Sequence, residues 1–259
     1  MLKLKNIDKS FNLNTVNEIS IFKDFNFIVN DGEFISIIGS NGSGKTTLLN
    51  LICGSSFPER GYILEDDIDI TKYKEFDRYK NIGRVFQDPS LGTTPSMTIL
   101  ENLSMADNKG RKWGLKKGVN DKKIEEYREM LSNIGLGLEN KLYDKVKSLS
   151  GGQRQALSLL MASMTPIKYI ILDEHTASLD PKTADKVMEL TEKIVRENNL
   201  TALMVTHNLK YALNYGNRLV MMHRGEVILD KKGKDKENME IDDILGTFNK
   251  ISIEYGNSI

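Results

Sequence analysis

The chain carries 36 lysines and arginines against 36 aspartates and glutamates over 259 residues, and this formal net charge of zero excludes a generally basic nucleic-acid binder. Hydrophobic residues at 39% and charged residues at 28% exclude a disordered, collagenous or low-complexity chain. No apolar run approaches the ~18 residues of a membrane helix, and the opening MLKLKNIDKSF lacks the apolar core of a signal peptide. The single cysteine, Cys53, sits in the apolar stretch LLNLICG and reads as a buried structural thiol. A cytosolic chain is expected, one that a partner must bring to any membrane where it works.

In chain order, residues 1–30 alternate apolar and polar positions (Leu2, Leu4, Ile7, then Ile19, Ile21, Phe25, Phe27), which predicts antiparallel strands joined by a polar loop over Asn12 to Glu18. FISIIG follows as a short apolar run of the kind found in strands covered on both faces. Ile124, Tyr127, Leu131 and Ile134 recur at helical spacing, so residues 88–155 read as a helical subdomain. KYIILDE and TALMVTH repeat the FISIIG pattern and predict further strands of one parallel sheet. RLVMM and EVILD flank His223, Arg224 and Gly225 as a hairpin, and the tail beyond residue 232 reads as short and polar.

The strand FISIIG runs into GSNGSGKTT, which fits the phosphate-loop pattern from Gly39 to Thr46. Gly42 and Gly44 let the loop turn its amides inward past Ser40, Asn41 and Ser43, and those amides converge on anionic oxygens with the N-terminus of the helix through Thr47. Lys45 supplies an ammonium for the β and γ phosphates, and the Thr46 hydroxyl is placed for Mg²⁺. YIILDE ends in two carboxylates: Asp173 suits the Mg²⁺ water shell, and Glu174 suits deprotonation of an attacking water. At LSGGQ, Ser150 reads either as an N-cap, with Gly151 and Gly152 as a turn, or as a second anion site with Gln153.

Together GSNGSGKTT, LSGGQ and YIILDE resemble the ATP-binding cassette family over about residues 2–230. The resemblance implies an α/β fold: a P-loop NTPase core with a parallel sheet, an N-terminal antiparallel β-subdomain and an inserted helical subdomain. Core and β-subdomain would span residues 1–87 and 156–232, the helical signature subdomain 88–155, and the tail 233–259. It further implies that Gln87 senses the γ-phosphate and Mg²⁺, that Asp180 of ASLD serves communication between subunits, and that His207 is the switch histidine contacting the γ-phosphate. Asp180 is also a good N-cap with Pro181 at the first helical position.

Phe11 is the candidate adenine-stacking aromatic, with core packing as its rival. His175 stands where the family usually has proline; it either tunes Glu174 or, by strand alternation, faces away from the nucleotide, and the second is preferred. Lys109, Arg111, Lys112, Lys116, Lys117, Lys122 and Lys123 surround Trp113 and read as a solvated loop, or as a contact with a membrane partner or anionic headgroups.

The resemblance implies an ATPase using ATP and Mg²⁺, working as a homodimer in which each ATP is held between the phosphate loop of one subunit and the signature of the other. Its partners would be an integral-membrane permease and an extracytoplasmic solute-binding protein, with no nucleic acid, and its place the cytoplasmic face of the membrane. FNLNTVNE, LDEHTASLD and MMHRGEVILD resemble importer subunits assigned to aromatic amino acids of the tryptophan and tyrosine type. The competing expectation is a non-transport cassette ATPase serving cell division or cofactor assembly.

Overall fold

A computed structural model describes residues 1–111, 118–119 and 121–254. The elements in chain order are β1 (Leu2–Phe11), β2 (Ile19–Val29), β3 (Phe34–Gly39), α1 (Lys45–Cys53), β4 (Arg60–Glu65), β5 (Ile68–Asp69), α2 (Glu75–Arg78), β6 (Ile82–Val85), α3 (Ile99–Asp107), α4 (Ile124–Ser132), α5 (Gly151–Ser163), β7 (Tyr169–Asp173), α6 (Pro181–Glu197), β8 (Thr201–Val205), α7 (Leu209–Asn214), β9 (Arg218–His223), β10 (Glu226–Lys232), α8 (Lys234–Glu237) and α9 (Ile241–Glu254). They form an antiparallel sheet of order β2-β1-β4-β5 and a six-stranded sheet of order β10-β9-β3-β8-β7-β6. In the larger sheet β9, β3, β8, β7 and β6 run parallel and β10 closes one edge as the antiparallel arm of the predicted hairpin.

The central strands are buried on both faces because each face is covered. On one face β3 and β7 pack against α1 and the antiparallel sheet, where Leu2, Phe22, Ile37, Leu48, Ile52 and Ile171 share a core. On the other face Ile170, Leu172 and Met204 meet Leu159 of α5 and Ala184 and Met188 of α6. α3, α4 and α5 form a third cluster through Leu103, Tyr127, Leu131 and Leu157. Cys53 lies fully buried in the first cluster, and desolvation pushes its thiol up to about 12, as befits an inert structural cysteine.

Four expectations are corrected in detail. The β4–β5 arm extends the small sheet beyond residues 1–30, because Leu64 and Ile63 pair back onto β1. Helix α5 runs unbroken across the anticipated boundary at 155/156. The tail is not merely polar: Ile244 of α9 is fully buried against Ala212, Leu219 and Met221, with Phe248 one helical turn on packed against the same cluster, a face legible in the spacing of Ile244 and Phe248. Nor is Lys109 part of a solvated loop, since its ammonium donates to the Ile82 carbonyl at 3.0 Å and burial lowers its pKa. Lys123 pairs with Asp107 at 2.9 Å, while Lys112, Trp113, Lys116 and Lys117 lie outside the described residues. Among the described residues no helix is long and apolar enough to cross a membrane.

Candidate nucleotide site

Strand order creates the site. With β3 between β9 and β8, and β7 beyond β8, the C-terminal ends of three parallel strands lie side by side, the place where open α/β sheets hold ligands. From β3 the chain turns at Gly39, whose φ of 152° and close approach to the Met222 carbonyl leave no room for a side chain. The loop is braced from below by the hairpin turn: Gly225 N–H donates to the Ser43 carbonyl at 3.1 Å, and Ser40 Oγ lies 3.3 Å from His223 Nδ1. That bracing was not evident in the sequence, although the hairpin itself was.

Within the loop Lys45 Nζ donates to the carbonyls of Gly39 (2.8 Å) and Ser40 (2.9 Å). Burial lowers its pKa, against the opposing pull of Glu174 and Asp173. The first amides of α1, from Lys45, Thr46 and Thr47 onward, have no carbonyl to meet within the helix. Ser43 Oγ is buried in the loop without a hydrogen-bond partner. Gly42, in the left-handed region, has open space around it, and Asn41 is exposed beside it. This donor-rich loop, with no aspartate or glutamate between Gly39 and Thr47, fits a polyphosphate.

Two cavities flank the end of β7. One, of about 740 Å³, is lined by Thr46, Gln87 and Asp173 together with Asn50, Arg84 and Phe86. The other, of about 390 Å³, holds Glu174 and His207. The division arises at Glu174, where φ of 48° turns the chain out of the strand. Its N–H donates to the Val205 carbonyl at 3.0 Å, and its Oε1 lies 2.7 Å from His207 Nε2. Among the described residues no group of three or more His, Cys, Asp or Glu could hold a metal alone. Thr46 and Asp173, two hard oxygen donors facing one cavity, fit Mg²⁺ in the form it takes beside nucleotide phosphates, with few protein ligands and retained water.

His175 faces away from this chemistry, but not by strand alternation, which the left-handed Glu174 interrupts. Its ring is buried with Nε2 3.1 Å from Thr191 Oγ1, whose own hydroxyl donates to the Val187 carbonyl at 2.7 Å. The ring nitrogen is therefore the donor, a neutral tautomer assigned by its partner. Desolvation lowers its pKa to about 4.

The signature residues line neither cavity. Ser150 is the N-cap of α5 and closes a capping box with Gln153: Ser150 Oγ accepts from Gln153 N–H at 3.3 Å, and Gln153 Oε1 accepts from Ser150 N–H at 3.2 Å. Gln153 Nε2 also donates to the Leu136 carbonyl at 3.0 Å. Ser150 and Gly151 are exposed, whereas Gly152 packs directly on Thr183 of α6. Asp180 caps α6 by accepting from Thr183 N–H at 3.1 Å, which lowers its carboxyl pKa. Phe11 is 42% exposed and outside the core, with Lys9 Nζ 5.2 Å from its ring centroid. Arg84, which no motif marked, pairs with Asp173 at 3.1 Å. Nothing local to RVFQDP could have shown this.

The ABC transporter family matches residues 22–177. Among similar proteins, a tyrosine transport ATP-binding protein of Clostridioides difficile is 53% identical over 248 residues, covering 96% of this chain and 98% of that one. The lipoprotein-releasing system ATP-binding protein LolD of Rickettsia conorii is 35% identical, covering 86% of this chain and 96% of its own. Among solved structures, the dimeric post-hydrolysis state of the ATP-binding cassette MJ0796 bound to ADP and Pi superposes with a TM-score of 0.75 at 32% identity, covering 90% of this chain and 98% of that one. The matched family spans more than half of the chain and includes its phosphate loop, its LSGGQ helix and the strand ending in Asp173 and Glu174. This chain belongs to the ABC transporter family, as an ATPase whose hydrolysis of ATP is coupled to transport.

Proposed function

We propose that the chain is the nucleotide-binding subunit of an importer, pairing with a second copy around two ATP molecules at the cytoplasmic face of a membrane permease. The observation that carries the catalytic part is the 2.7 Å contact between Glu174 Oε1 and His207 Nε2, one residue from the carboxylate that shares a cavity with Thr46. Lys45 and the loop amides bind the β and γ phosphates. Thr46 and Asp173 would hold Mg²⁺, with Gln87 reporting on it, and the ion supplies neutralisation of phosphate charge. Glu174 accepts the proton of the attacking water, and His207 orients that carboxylate and reaches toward the γ-phosphate. Phe11 offers adenine an exposed ring.

Ser150 and Gly151 lie outside the cavities that hold Thr46 and Glu174, which supports their acting on the partner's ATP, with Asp180 passing the signal between subunits. The MJ0796 dimer lends weight to that arrangement. The helical residues 88–155 would face the permease, with α5 running on from them into the core of residues 1–87 and 156–232. The name of the Clostridioides difficile relative favours tyrosine or a similar aromatic amino acid as cargo, delivered by a solute-binding protein.

The test is Glu174→Gln. ATP binding should persist, hydrolysis should fall by roughly 10² to 10⁴, and an ATP-bound dimer should accumulate on size-exclusion chromatography. Near-normal turnover would remove Glu174 from the mechanism. Uptake of labelled tyrosine by cells carrying or lacking the gene tests the cargo.

A further inference from the structure

Arg84 stands opposite Ile171 in the parallel register of β6 and β7. Its side chain therefore leaves the sheet on the face shared by Ile171 and, two residues on, Asp173. One guanidinium nitrogen, Nη2, donates to Asp173 Oδ2 at 3.1 Å and to Asn50 Oδ1 at 2.9 Å. Asn50 is one helical turn beyond Thr46 on α1. A single nitrogen thus ties the strand end bearing Asp173 to the helix bearing Thr46, with both of its hydrogens used.

This pair is not a surface ion pair. The side chains of Arg84 and Asp173 are only 8% and 15% exposed, so water and salt screen their attraction weakly. The guanidinium carbon lies 4.7 Å from the Phe86 ring centroid, which fixes the plane of the fork. Arg84 and Phe86 both line the cavity of Thr46 and Asp173, and both also line a separate groove of about 420 Å³ with Met105, Lys109 and Met161. Asp173 also feels the Lys45 ammonium. Without a second anchor its carboxylate would be free to turn toward that charge.

We propose that Arg84 is a positioning residue for Asp173. It occupies Oδ2, leaves Oδ1 for the metal's water shell, and through Asn50 sets the spacing between Asp173 and Thr46. Arginine suits this position because its planar guanidinium stacks on Phe86 while one of its nitrogens reaches both acceptors, an orientation that a lysine ammonium on a flexible stem does not hold. The inference rests on Asp173 being the Mg²⁺-side carboxylate.

The experiment compares the affinity for AMP-PNP in EDTA and in Mg²⁺, by isothermal titration calorimetry on the full chain. Asp173→Asn should abolish the Mg²⁺ enhancement. Arg84→Met should reduce that enhancement by roughly 10- to 100-fold, the usual cost of losing an outer-shell partner, while affinity in EDTA stays unchanged. Asn50→Ala should cause a smaller loss in the same direction, and Arg84→Lys should recover only part of what Arg84→Met loses. If Asp173→Asn leaves the enhancement intact, the assignment of Asp173 fails and this inference with it. If Asp173→Asn abolishes it while Arg84→Met and Asn50→Ala do not change it, only the role of Arg84 is overturned. Should Arg84→Met fail to fold, Arg84→Lys and Asn50→Ala decide the matter by the same measurement.

Discussion

His175 Nε2 lies 3.1 Å from Thr191 Oγ1, in a buried contact with α6, while the preceding side chain, Glu174, reaches His207. Two neighbours in sequence thus belong to different environments, one dry and structural, the other lining a cavity.

His175 should therefore govern stability rather than turnover. Burial holds its folded pKa near 4, below the ordinary value of about 6.5. The unfolded chain binds more protons between those values, so this contribution is complete above about pH 6.5 and is lost as pH falls toward 4. The loss amounts to about 2 kcal/mol between pH 8 and pH 5. Urea unfolding of the wild type should show this slope, and His175→Gln should flatten it while lowering stability at pH 8. The pH–rate profile between 5.5 and 8 should keep its acidic limb in that variant. Disappearance of the limb would mean that the imidazole communicates with Glu174 after all.

Gly152 is needed for packing as well as for the signature. A methyl group there would collide with Thr183 Cγ2 at the α5–α6 contact. Gly152→Ala should cost about 1–3 kcal/mol by overpacking. Thr183→Ser removes the obstructing methyl but keeps a small side chain, so the double variant should regain most of the loss in thermal unfolding. An additive effect of the two changes would show that the crowding lies elsewhere.

Action of Ser150 in trans has a direct consequence on mixing. Lys45→Ala and Ser150→Arg subunits are each expected to be inactive alone, but a heterodimer contains one intact composite site. ATPase activity should appear on mixing. If native mass spectrometry detects the heterodimer and activity stays at the level of the separate variants, the shared-site arrangement is wrong.

Local patterns carried much of this molecule. The phosphate loop, the paired carboxylates of YIILDE, the Ser150 cap and the alternation of β1 and β2 are contiguous, because each expresses hydrogen bonding or face burial within a few residues. Even the α9 face was present in the sequence as a helical repeat; the polar residues between its apolar positions obscured it. Lys109 read as one of a run of charges because its acceptor, the Ile82 carbonyl, is remote in sequence.

By itself, then, the sequence determined which segments become strands and helices and which residue types could meet phosphate, since propensity, capping and periodicity act over one or two turns of chain. Only the tertiary structure decided which of those groups meet. The order β9-β3-β8-β7 sets Asp173 beside Val205, so that Glu174 and His207 emerge together. The register of β6 on β7 aims Arg84 at Asp173, and one left-handed residue sends His175 into the core. Such contacts depend on strand order and backbone sign, and their free energy comes from burial between segments far apart in the chain, which no local pattern records.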